Sequence, residues 1–115
     1  MMLSNYYWIF KNALTNKFCD EVVKYSLSKK DNMALTGGSN NKKLSKEKLK
    51  KIKTVRDSNI VWLNENWIYK EIQPYVHKAN KNAGWNFSWQ TSEECQFTKY
   101  KIGQYYTWHT DSLPD

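Results

Sequence analysis

Two residues near the end of the chain, His109 and Asp111, are of the types that hold a divalent metal. An imidazole nitrogen and a carboxylate oxygen are two of the three donors in a 2-His-1-carboxylate facial triad, which leaves positions open on non-haem iron. One residue apart on a strand they would share a face, because strand side chains alternate. Tyr105 and Thr107 would stand behind them on that face. Trp108, out of phase, would pack behind the strand. The bland alternative for so short a motif is a strand-end His paired with a nearby Asp.

The elements that must position this pair read as follows. Residues 95–101 and 104–111 form two extended runs that meet near Gly103. Before them, residues 85–90 alternate Trp85, Phe87 and Trp89 with Asn86, Ser88 and Gln90, the pattern of a half-covered antiparallel strand. Residues 59–63 form an apolar run short enough to be a buried strand. Residues 6–10, aromatic and branched, read as an opening strand. Between these lie helices. Thr15 or Asn16 caps the first, whose buried face is Phe18, Cys19, Val22, Val23 and Leu27, and which ends near Lys29 and Lys30. Ser45 caps a short second helix with Leu44, Leu49 and Ile52 on its apolar edge. Asn64 or Asn66 caps a third with core positions Trp67, Ile68, Ile72, Tyr75, Val76 and Ala79. Pro74 inside it predicts a kink or a later start, and Gly84 stops it. This order predicts an α+β fold, with helices packed on one face of an antiparallel sheet.

At 115 residues the chain has room for one small domain, residues 1–115. Six Trp, eight Tyr and four Phe make its core unusually aromatic. No apolar run approaches the roughly 18 residues that cross a bilayer. The opening residues lack the basic region of a signal peptide, so a cytoplasmic location is expected. Cys19 and Cys95, without a CxxC partner, read as two buried thiols. The net charge of +7 belongs to one segment. Lys42, Lys43, Lys46, Lys48, Lys50, Lys51, Lys53 and Arg56 crowd together with Glu47 as the single acid, while the remaining ten basic residues face ten acidic ones. Residues 39–56 therefore read as a basic, solvated insert. Nucleic acid is the less favoured partner for it, because the run lacks the interleaved aromatics on which bases stack.

The run Tyr100, Gly103, Tyr106, His109 and Asp111 resembles the iron-binding strand of the prolyl-4-hydroxylase-like branch of the 2-oxoglutarate/Fe(II) dioxygenases, in its viral and marine bacterial form. Arg56–Leu63, Ala79–Asn80 and Gln96–Phe97 fall where those relatives have similar runs, so the resemblance spans roughly residues 5 to 115. It implies the N-terminal portion of a double-stranded β-helix (jelly roll). It also implies Fe(II) and 2-oxoglutarate as cofactors, with ascorbate as an accessory, and a prolyl, other peptidyl or free amino-acid substrate. Carried over, His109 and Asp111 match the first two iron ligands. Tyr100 matches a tyrosine that hydrogen-bonds the far carboxylate of 2-oxoglutarate, and Tyr106 matches one that lines the same pocket. A phenol suits that task because it donates without adding charge. For both tyrosines the bland alternative is a core aromatic with a satisfied hydroxyl.

The family's site also needs a second His and, beyond it, a basic residue that anchors the co-substrate. The one other histidine is His77, upstream on the third helix, where a surface or half-buried role is expected. The sequence thus reads as an incomplete jelly roll, an oxygenase truncated after its His-x-Asp and inactive as it stands. Cutting a sheet in mid-fold would expose strand edges and an aromatic face, so a homodimer or higher association is expected. Two other readings remain. One is a non-catalytic interaction module on the same scaffold. The other is a small basic nucleic-acid-binding domain acting through residues 42–56.

Overall fold

The computed structural model of the chain describes residues 6–35, 45–89 and 92–111. Its elements, in order, are α1 (Asn16–Leu27), β1 (Asn32–Met33), α2 (Lys46–Val55), β2 (Arg56–Asp57), β3 (Asn59–Leu63), α3 (Asn66–Asn82), β4 (Cys95–Lys99) and β5 (Tyr105–Tyr106). The fold is α+β with small, open sheets. The chain divides into two compact units, one from Met1–Lys29 with Trp62–Cys95 and one from Lys30–Val61 with Gln96–Asp115.

In the first unit the helix signals act locally. The Thr15 hydroxyl accepts the Phe18 N–H at 3.1 Å and caps α1, an interaction typically worth about 1 kcal/mol. The buried face of α1 is not the expected one. Ser26 is fully buried and Cys19, Val23 and Leu27 are exposed. The rotation follows from the aromatic partners, since Phe18 and Tyr25 both present ring edges to Trp67, with centroids 6.0 and 5.7 Å away. The Ser26 hydroxyl meets its buried surroundings by donating to the Val22 carbonyl at 2.7 Å.

Helix α3 begins at Asn66, after Glu65, and runs through Pro74 without the later start expected of it. Of its expected core positions Ile68 is buried, whereas Trp67 and Val76 are exposed. Gly84 ends it with φ +71°. The Gly84 N–H reaches the Lys81 carbonyl and the Trp85 N–H the Asn80 carbonyl, the paired bonds of a Schellman ending.

Two expected strands are absent from this unit. Residues 6–10 are irregular: Phe10 packs on Tyr75 of α3 at 5.1 Å, the Tyr75 hydroxyl donates to the Ala13 carbonyl, and Asn12 takes φ 55°. Residues 85–89 alternate in sequence but form no strand. Asn86 turns the backbone at φ 56°, and the Asn80 amide takes both the N–H and the C=O of Phe87 at 2.9 Å. Those are the groups a ladder would have used. Gln90 lies outside the described residues.

The second unit holds the sheets. The three-stranded sheet runs β1-β3-β4, with β1 antiparallel to β3 in the register Asn32↔Ile60 and Met33↔Asn59. Strand β1 falls in a stretch to which the sequence pattern assigns no element. The other sheet pairs β2 and β5 antiparallel, Arg56↔Tyr106 and Asp57↔Tyr105. Ala34, Ile52, Ile60 and Val61 are the buried apolar side chains of this unit, and β3 is the buried strand that its sequence predicts. Ser45 caps α2 as expected, its hydroxyl accepting the Lys48 N–H, and Ile52 is the inward position; Leu44 lies outside the described residues. The last two runs do not pair with one another, since β4 lies beside β3 and β5 beside β2. Both cysteines are free, and Cys19 is exposed rather than buried. No helix among the described residues is long and apolar enough to cross a membrane.

Candidate functional site

The path to His109 starts at a tight turn. The Gln104 N–H donates to the Lys101 carbonyl at 2.9 Å, and Gly103, at φ +86°, supplies the positive φ that a type II turn needs at its third position. The Gln104 side chain then locks the turn in place. Its carbonyl oxygen accepts the Lys101 N–H at 2.8 Å, and its amide nitrogen donates to the side-chain oxygens of Asp57 (3.2 Å) and Asn59 (2.9 Å).

After that turn β5 lasts only as long as its partner. β2 is two residues long, so the ladder ends at Tyr106. Thr107 then gives both its N–H (2.8 Å) and its hydroxyl (2.9 Å) to the carbonyl of Val55, the last residue of α2. The chain bends at Trp108, and neither His109 nor Asp111 lies on a strand. The expectation of a strand over residues 104–111 is corrected to Tyr105–Tyr106. Trp108 is likewise not packed behind a strand but fully exposed.

His109 and Asp111 are nevertheless together. Nε2 of His109 lies 3.4 Å from Oδ1 of Asp111. Nδ1 of His109 lies 2.7 Å from the Thr107 carbonyl. A carbonyl only accepts, so Nδ1 carries a proton, and Nε2 is the ring atom that faces Asp111. A backbone acceptor behind a metal-binding imidazole commonly fixes its tautomer in this way. The ring itself is held flat on Tyr106, with centroids 3.6 Å apart and planes at 9°.

Tyr106 is held in turn by Arg56. The guanidinium carbon lies 4.5 Å from the centre of the Tyr106 ring. The Tyr106 ring thus contacts both Arg56 and His109. Arg56 is only 7% exposed. Its Nε donates to the Ser58 hydroxyl at 2.9 Å and its Nη2 to the Gln96 side-chain carbonyl at 2.8 Å. Ser58 is fully buried, and Gln96 is steadied by the Thr98 hydroxyl at 3.1 Å. The result is a column of Arg56, Tyr106 and His109, with Asp111 at its open end. Arg56, Ser58, Gln96 and Gln104 were not identifiable as site supports from the sequence. The nearest signal was their place in or beside runs that resemble the oxygenases.

Comparison of the chain with protein-family models, with curated proteins and with solved structures returned no match.

The donor pair can be tested against the geometry of a metal. Two ligands at about 2.1 Å from one ion lie about 3.0 Å apart at a right angle and about 3.4 Å apart at a tetrahedral angle. The His109–Asp111 separation is of that size, so the distance is compatible with one shared ion. Among the described residues no cluster of three His, Cys, Asp or Glu side chains is placed to hold a metal. His77 is not part of this site; its ring packs on Trp89 with centroids 4.3 Å apart and planes tilted by 36°.

The other two residues carried over from the resemblance are placed differently from each other. Tyr106 is half-buried in the column, its ring in contact with His109 and Arg56. Its hydroxyl has no hydrogen-bond partner among the described residues. Tyr100 is 51% exposed and outside the column, with neither a hydrogen bond nor a ring contact among the described residues.

Proposed function

We propose that this chain carries the first two iron ligands of a 2-oxoglutarate/Fe(II)-dependent oxygenase built on a jelly-roll scaffold. The observation that supports this reading is the His109–Asp111 pair: two donors 3.4 Å apart, with Nδ1 tied to the Thr107 carbonyl. The donor types are those of the facial triad, and no thiolate joins them, which suits Fe(II) better than a structural zinc.

In this reading His109 and Asp111 would hold the metal. The metal, with 2-oxoglutarate and dioxygen, supplies the oxidising chemistry. The rest falls to the protein. Thr107 keeps the imidazole in the ligating tautomer, and Tyr106 keeps it in plane. The Tyr106 hydroxyl donates to a carboxylate of the co-substrate, and Tyr100 is the second candidate donor. The substrate class is a prolyl, other peptidyl or free amino-acid side chain.

Mn(II) calorimetry tests the ligand assignment. With two protein donors, binding should be weak, and His109→Ala and Asp111→Ala should each abolish it. Binding that survives both substitutions would place the metal elsewhere and end the proposal. Succinate formation from 2-oxoglutarate by residues 1–115 should be undetectable, because a third donor is needed to retain the metal through turnover. Robust iron-dependent turnover would show that a ligand has been overlooked.

A further inference from the structure

The basic segment lacks aromatics in sequence, but the fold brings them to it. Helix α2 presents Lys46, Lys48, Lys50, Lys51 and Lys53, all exposed. None has a carboxylate within 4.0 Å among the described residues, where the recorded ion pairs are Lys99–Asp31 and His109–Asp111. Lys46, Lys50 and Lys53 fall at i, i+4 and i+7, so they form one edge of the helix. At 1.5 Å per residue, they are spaced about 6 and 4.5 Å apart along the axis. A row of unpaired ammonium groups is a match for a chain of phosphates.

The end of that row is where β5 arrives. The Tyr105 hydroxyl donates to the Lys53 carbonyl at 2.7 Å, and Thr107 donates twice to the Val55 carbonyl. These bonds neutralise carbonyls of the last helical turn, whose partial negative charge would otherwise repel an anion. The next residue, Trp108, stands fully exposed with no packing role, and Tyr105 is 43% exposed. An indole with both faces in water, immediately after a residue bonded to a lysine helix, is costly to display without a partner.

We propose that α2 and the Tyr105–Trp108 segment form a binding surface for single-stranded nucleic acid. Lys46, Lys50 and Lys53 take successive phosphates, and Trp108, with Tyr105 beside it, stacks on bases. This is the pairing of charge and aromatic platform that such binders use. Charge decides against a neutral or basic protein partner. The exposed indole decides against a purely electrostatic counter-surface.

The test is fluorescence anisotropy of the full chain with a labelled 20-nucleotide oligo-dT over a salt series. Binding should weaken with salt. Replacing Lys46, Lys50 and Lys53 together by Gln should flatten the log–log slope by about 2, at about 0.7 per phosphate. Trp108→Ala should weaken binding about tenfold and leave the slope unchanged. Circular dichroism checks that both variants fold, and neither site is buried. Absence of binding at low salt, or a Trp108→Ala variant that binds like the parent, would overturn the proposal. So would tighter binding to phosphatidylserine–phosphatidylcholine vesicles than to the oligonucleotide, which would make the surface a membrane contact.

Discussion

Arg56 offers a test in which the conservative substitution should be the more damaging one. Its guanidinium is buried, and no carboxylate lies within ion-pair distance of it among the described residues. It is offset instead by Ser58, Gln96 and the face of Tyr106. A hydrogen bond to a charged group contributes about 1.5–3 kcal/mol, and a desolvated cation–π contact about 2 kcal/mol. Against these stands the cost of burying a charge, several kcal/mol per ion. Arg56→Met loses all three contacts but also removes that cost, so its net effect should be a loss of about 1–2 kcal/mol. Arg56→Lys keeps a buried charge while losing the planar fork that reaches Ser58 and Gln96 together and stacks on the ring. Its loss should be larger, about 2–4 kcal/mol.

Urea unfolding followed by circular dichroism measures both losses as shifts in midpoint at constant slope. The expected ranking is wild type, then Met, then Lys. If Arg56→Lys falls within about 0.5 kcal/mol of wild type, the fork and the stack contribute little, and the account of the column is wrong. A second readout follows from the contact, because either variant removes the guanidinium from the Tyr106 ring and loosens the ring that His109 lies on. Residual Mn(II) binding should weaken in both.

The remaining predictions concern acid sensitivity and assembly. The Tyr25 hydroxyl, bonded to Glu65, holds that carboxyl below its ordinary value of 4.5. A lowered folded pKa gives stabilisation that is present above the unfolded value and is lost as pH falls through the folded one. Tyr25→Phe should therefore be less stable by about 1 kcal/mol at neutral pH, yet lose less further stability on acidification, as read from thermal midpoints between pH 7 and pH 3. Asp31 is held below 3.8 chiefly by its hydrogen bond with Lys99. Lys99→Met should raise the Asp31 pKa, measured by NMR of the side-chain carboxyl. Light scattering should show self-association at high micromolar concentration, since Tyr6, Ile9, Phe87, Ile102 and Trp108 are all more than 60% exposed. A clean monomer would mean that these side chains do not form an adhesive surface.

What was legible in the sequence is what depends on near neighbours. Thr15 and Ser45 cap their helices through the N–H three residues on, and Gly84 closes α3 through bonds spanning five residues or fewer. The run 59–63 is short and apolar as a buried strand is, and its Ile60, Val61 and Leu63 are buried. The losses came where a distant group overrode a local pattern. Residues 85–89 alternate well enough for a strand, but the Asn80 side chain claims the ladder groups of Phe87. The strand ending in the His-x-Asp was cut short because its antiparallel partner β2 is preceded by Val55, the last residue of α2, so helix rather than strand lies opposite the residues beyond Tyr106. No periodicity in residues 104–111 carries that information.

The same episode alters the reason His109 and Asp111 are together. Strand alternation predicts their common face, and strand alternation is absent there. Their proximity comes from three particular contacts: Thr107 pinned by two bonds to the Val55 carbonyl, His109 turned back on the Thr107 carbonyl, and its ring laid on Tyr106. A strand would have held the donors by backbone geometry alone, whatever residue stood at position 106. Here the imidazole plane depends on Tyr106, and Tyr106 depends on Arg56. Tyr106→Leu should therefore displace His109 without touching either donor. Residual Mn(II) affinity should fall about tenfold or more, the usual scale for groups that orient a ligand, while Tyr106→Phe, which keeps the stack, should retain the metal. Equal affinity in all three proteins would return the site to simple alternation and remove the column from the account.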